Sequence, residues 1–144
     1  MAEALFRTLH MLGLLGVAAG LVIAVLVTRP SLSRDDTDGL AKTYLLTLIA
    51  LVLTTLAGLA LWLWVGKPAA FFSNNPVFHA KMGLVVILTI LLLVPALFFY
   101  RAGASTDEES VSIPVSVRIM QRAAIPLIVV LPVLAYLMAR GIGY

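Results

Sequence analysis

Two side chains in this sequence can bind a metal through a ring nitrogen, His10 and His79, and they are its only histidines. There is no cysteine, which removes disulfides, thiolate zinc sites, iron–sulfur clusters and thioether-attached haem. Each histidine stands near the start of a long apolar stretch, and these are the first and third of four such stretches. Spans joined by short connections run antiparallel, so the first and third point the same way. Both imidazoles then reach the same side of a membrane at a similar depth, diagonally across a four-helix core. A b-type haem held by one histidine from each side fits that arrangement. Other metal or proton chemistry is a second reading, and a solvated interfacial histidine a third.

Four cations share the histidine side: Arg7, Lys67, Lys81 and Arg140. Porphyrin propionates are carboxylates, which Arg and Lys pair with. Ordinary snorkelling of helix-end cations is the competing account for each of them. Gly13, Gly16 and Gly20 share a helical face with His10, Gly83 follows His79 by one turn, and Gly58 lies in the second stretch. Glycines at such spacing allow a flat ligand to approach closely, and equally allow close helix packing. Trp62 and Trp64 suit an interfacial belt. Met11 adjoins His10 and Met82 follows His79 by one turn, and thioether with imidazole suits Cu(I); core packing explains both methionines as well.

These groups need a scaffold, and the composition defines one. The 144 residues are 62% hydrophobic and 12% charged, against roughly 25% charged in soluble domains. Mean hydropathy is +1.08. Stretches free of Lys, Arg, Asp and Glu run over 8–28, 43–66, 82–100 and 123–139, and a membrane crossing takes about 20 residues. The expected fold is all-α: one transmembrane domain over 1–144, an up-down-up-down four-helix bundle in the lipid bilayer with spans near 6–28, 43–66, 77–100 and 114–140. The first stretch is long for a signal peptide and no small-residue cleavage site follows it. Pro114 suits the first turn of the last helix, while Pro95, Pro126 and Pro132 bend the helices that carry them.

The three connections read as polar loops: 29–42 rich in turn formers, 67–76 with Phe71 and Phe72 as interfacial anchors, and 101–112 acidic and mobile. Arg29, Arg34, Lys42, Arg101, Arg118 and Arg122 share one side against four cations on the other, which by a small margin sets the termini outside the cytoplasm. The net charge of +3 is spread along the chain and forms no nucleic-acid patch. No Asp or Glu falls within an apolar stretch, so carboxylate-relay pumping is not expected. Leu9-His10-Met11-Leu12-Gly13 and Phe78-His79-Ala80-Lys81-Met82-Gly83 echo each other, as a parallel repeat of two hairpins would.

Phe78-His79-Ala80-Lys81-Met82 resembles the aromatic/His/x/Lys/hydrophobic motif that opens the third span of HemJ-type protoporphyrinogen oxidases. His10 early in the first span, with Arg29 ending it, is similar to that group too. Asn75-Pro76-Val77-Phe78-His79-Ala80-Lys81 and Leu137-Met138-Ala139-Arg140-Gly141-Ile142-Gly143 look closer still to an uncharacterised family of bacterial membrane proteins. That family is grouped with the HemJ-type enzymes and the CopD-type copper-resistance proteins. The likeness covers nearly the whole chain in layout and a handful of residues in detail.

The resemblance implies haem b on His10 and His79, with Lys81 beside it in a porphyrin-handling site. It also implies a homo-oligomer in a bacterial inner membrane, a porphyrin substrate, a redox partner or quinone, and an oxidoreductase role. HemJ-type proteins carry an Asn-Glu pair, soon followed by proline, early in the fourth span. Here that stretch reads Gln121-Arg122-Ala123-Ala124-Ile125-Pro126, with a cation in place of the acid, which bears on protoporphyrinogen oxidation more than on haem binding. Copper binding or transport is the alternative that the CopD-type grouping suggests. A cofactor-free scaffold or small subunit of a membrane complex is the other.

Overall fold

A computed structural model of the protein describes residues 1–105 and 109–143. Four long helices dominate it: α1 (Ala2–Val27), α2 (Arg34–Ala60), α4 (Pro76–Ser105) and α5 (Val115–Ala139). A π-helical turn, Leu61–Val65, prolongs α2, and a short helix α3 (Ala69–Ser73) bridges to α4. Two short strands, β1 (Ser31–Ser33) and β2 (Ser110–Ser112), pair antiparallel and join the first connection to the last. The candidate spans are 25 to 32 residues long, beyond the ~20 that a bilayer core requires. The molecule is an all-α, four-helix membrane bundle. α1 packs on α2 and α5, and α4 packs on the same two, so α1 and α4 face each other across the diagonal.

The helices reach further than their apolar stretches. Residues 34–42, expected in a loop, form the first turns of α2. Ser33 caps that end by accepting from the Asp36 N–H at 3.1 Å, and Asp35 and Asp36 complement the helix dipole. Residues 101–105, also expected in a loop, continue α4. Residues 110–112 are strand, and the acidic stretch at 106–108 expected to be mobile lies outside the described residues. Pro95, Pro126 and Pro132 are carried within continuous helices.

Buried positions recur at helical spacing along one face of each helix: Val17, Leu21 and Ala24 on α1; Leu40, Tyr44, Thr47 and Leu51 on α2; Leu88, Leu92 and Phe99 on α4; Val117, Gln121, Ala124 and Leu131 on α5. Large apolar side chains such as Leu15, Leu26, Leu46 and Ile90 face outward, where lipid receives them. Gly13, Gly16 and Gly20 settle between their two readings in favour of helix packing. A Cβ at Gly13 would fall on the Thr54 hydroxyl, one at Gly20 on the Thr47 hydroxyl, and one at Gly16 within 3.1 Å of Ala50 Cβ. The two hydroxyls donate back along α2, Thr47 to the Thr43 carbonyl at 2.7 Å and Thr54 to the Ala50 carbonyl at 2.8 Å, so α1 lies against satisfied groups.

Candidate functional site

One end of the bundle holds a part-open cavity of about 570 Å³, bounded by α1, α2, α4, α5 and α3. Its floor is Val17, Leu51, Leu88 and Leu131 near the middle of the bundle. Beyond that floor the core closes with Leu21, Ala24, Tyr44, Leu92 and Phe99, none more than 1% exposed. Its walls carry Met11, Leu14, Thr55, Val85 and Pro132, and its mouth is aromatic: Trp62, Phe71, Phe72, Phe78 and Tyr136. Trp62 packs on Phe78 at 4.9 Å between ring centroids, and Phe72 on Phe78 at 5.8 Å. The π-helical turn that begins at Leu61 carries Trp62 to this wall, and such turns recur at functional sites.

His10 lies inside. Its Nδ1–H donates to the Thr54 carbonyl at 2.7 Å. A carbonyl only accepts, so the proton resides on Nδ1, and the neutral ring keeps an unprotonated Nε2. Gly58 makes room for the ring, since a Cβ there would stand 3.0 Å from Cε1 and 3.1 Å from Nδ1. The closeness anticipated for Gly58 is thus to the imidazole itself.

The cations divide. Arg7, Lys67 and Lys81 line the cavity and no Asp or Glu does. Lys81 is half-buried and has no ion pair among the described residues. Arg7 is exposed and pairs with Glu3 at 2.6 Å, a surface contact of small energetic weight. Lys67 Nζ sits 4.0 Å above the Phe71 ring. Arg140 is exposed outside the lining, its Nε donating to the Tyr136 hydroxyl at 3.0 Å.

His79 does not join His10. The inward face of α4 is Phe78, Lys81, Val85 and Leu88, spaced by three and four residues. His79 follows Phe78 by one residue, about 100° around the helix, and is exposed, its Nε2–H donating to the Ser73 carbonyl at 2.8 Å. Met82 is likewise absent from the lining, and Gly83 borders open space. The echo between the two histidine segments therefore does not continue into three dimensions: Gly13 packs on α2 and Gly83 on nothing within 4 Å. Phe71 and Phe72, expected as interfacial anchors, line the cavity, as does Trp62, whereas Trp64 is 78% exposed. Gln121 and Arg122 lie towards the opposite end. Gln121 donates there to the Thr28 hydroxyl at 3.0 Å, and Arg122 is exposed, so the cation in that motif does not touch the cavity.

Asn75 was not anticipated as a position of its own. It is fully buried, its Oδ1 accepts from the Val77 N–H at 2.8 Å, and its Nδ2 donates to the Ile142 carbonyl at 3.2 Å. The segment that opens α4 is thereby clasped to the segment after α5, which are the two stretches most like the uncharacterised bacterial family. No group of three or more His, Cys, Asp or Glu that could hold a metal ion occurs among the described residues. A family described as predicted membrane protein (DUF2214) matches the chain over residues 2–143. No curated protein and no solved structure matches it.

Proposed function

We infer the function of this chain, which belongs to the DUF2214 family of predicted membrane proteins, from its own residues: the cavity would bind a b-type haem in a redox role, held by His10. The observation that carries this is the His10–Thr54 pair. A backbone carbonyl takes the Nδ1 proton at 2.7 Å, fixing the ring and leaving Nε2 as the metal-binding atom, the arrangement that metal-ligating histidines use. The donor set suits the group. An apolar and aromatic chamber of about 570 Å³ lies within the ~300–1,000 Å³ of small-molecule sites. Lys81, Lys67 and Arg7, the last already paired with Glu3, line it and would pair with the anionic edge of a porphyrin. When bound, the iron would supply one-electron chemistry.

The ligand set in this proposal contains one histidine rather than two. The likeness to HemJ-type enzymes supports a role near porphyrin oxidation in a bacterial inner membrane, as a homo-oligomer with a quinone or other redox partner. Oxidised and dithionite-reduced spectra with a pyridine haemochrome assay on the detergent-purified protein test the assignment. His10→Ala is expected to abolish the Soret and α/β bands, while His79→Ala keeps them. Wild-type-like haem content in His10→Ala would refute the reading, and loss of the bands in both His79→Ala and His79→Gln would restore the two-histidine ligand set.

A copper reading draws on Met11 and Met138, which line the same cavity as His10, a thioether and imidazole set suited to Cu(I). It predicts stoichiometric copper by elemental analysis, lost on Met11→Leu. Colourless, metal-free protein that co-purifies with a fixed partner would favour the scaffold reading.

A further inference from the structure

We propose that α3 and its flanks form a lid over the cavity, and that His79 is the latch that holds it shut. The inference rests on the cavity being a binding site, not on haem being its occupant. α3 is a single short helix between the π-helical turn and α4, and its two faces differ sharply. Phe71 and Phe72 turn into the cavity, while Ala69, Ala70, Ser73 and Asn74 are exposed. Apolar groups beneath and small or polar ones above are what a cover over an apolar chamber needs.

The two ends of this segment are held differently. On the α4 side, Asn75 is fully buried and fixed to both Val77 and Ile142. On the α2 side, Gly66 ends the π-helical turn by donating its N–H to the Leu61 carbonyl at 3.0 Å, and Lys67 and Pro68 beyond it are exposed. Between these ends, two polar ties from the bundle meet at Ser73. The Trp62 Nε1–H donates to its hydroxyl at 3.3 Å, and the His79 Nε2–H donates to its carbonyl at 2.8 Å. The Ser73 hydroxyl itself donates back to the Ala69 carbonyl at 2.9 Å. His79 makes the shorter of the two ties from an exposed position, where water can replace it. A contact that is short yet exchangeable at small cost suits a cover that must open. It also gives His79 a role beside the cavity without entering it.

The chain has no cysteine, so a single introduced thiol reports access cleanly. Ala135→Cys places one on the cavity wall, and Ser116→Cys places one at an exposed site at the opposite end. Each is labelled in detergent with a small, water-soluble thiosulfonate bearing a sulfonate. In the His79→Ala background the Ala135→Cys thiol is expected to react about tenfold faster, the scale of one lost hydrogen bond, with Ser116→Cys unchanged. His79→Gln, which keeps a side-chain N–H donor, should return the rate towards wild type. Equal rates at Ala135→Cys with and without His79 would overturn the lid, and so would an equal acceleration at both thiols. Labelling needs no haem: a colourless protein whose cavity still opens on His79→Ala loses the haem reading and keeps the lid. A haem-bearing protein with unchanged labelling does the reverse.

Discussion

A single methyl group added at Gly58 would come within 3.0 Å of His10 Cε1. The ring cannot retreat along its hydrogen bond, because the Thr54 carbonyl already stands 2.7 Å from Nδ1. Gly58→Ala is therefore expected to turn the imidazole while leaving the bundle intact. Losing the group that orients a metal-binding histidine costs about 10–100-fold in affinity, so haem titration of this variant should show a weakening of that order with unchanged helicity by circular dichroism. Unaltered affinity would mean that the His10 orientation is unimportant for binding. His10 was legible in the sequence because histidine is rare in this chain and ionisable groups in a span are costly. Its partner was not, because a backbone carbonyl carries no residue-type signal. That His79 points away from the cavity was not legible for a related reason: one residue of helix is a 100° turn, and the composition of α4 does not say which face is inside.

At the level of the helices, the glycines make opposite predictions in α1 and α4. A valine at Gly20 would overlap the Thr47 side chain and force α1 and α2 apart, a small-to-large change worth about 1–3 kcal/mol of destabilisation. Gly83 has nothing within 4 Å of its would-be Cβ. Gly83→Ala should be neutral or stabilise by up to ~1 kcal/mol through helix propensity. Thermal unfolding in one detergent compares the two, and a similar loss in both variants would contradict the packing described. Hydropathy located all four spans, yet it began α2 late and ended α4 early, because it measures the apolar middle of a helix. The turns carrying Arg34 to Lys42 are polar and still helical, started by Ser33. The clasp of Asn75 on Ile142 spans 67 residues, and no local pattern announces a contact of that range.

Across the whole molecule, charge is distributed lengthwise. Arg7, Lys67 and Lys81 surround the cavity without a carboxylate in its lining, so the chamber favours anions. Esterifying both propionates of haem should then weaken binding by at least about tenfold, on the scale of 1.5–3 kcal/mol for a hydrogen bond to a charged group. Lys81→Ala should abolish most of the difference between haem and its dimethyl ester. Equal affinities of the wild type for both would show that the cations serve only the membrane interface. The common side of these cations was readable from alternating span direction. The exclusion of Arg140 was not, since it depends on how α5 ends.

The closed floor of the chamber has a consequence for traffic. Leu21, Ala24, Tyr44, Leu92 and Phe99 make the half of the bundle beyond Leu88 a solid plug, with no more than 1% exposure at any of the five. The chamber is a cul-de-sac along the bundle axis: a molecule taken up at its end of the bundle is not handed on through the core to the other end.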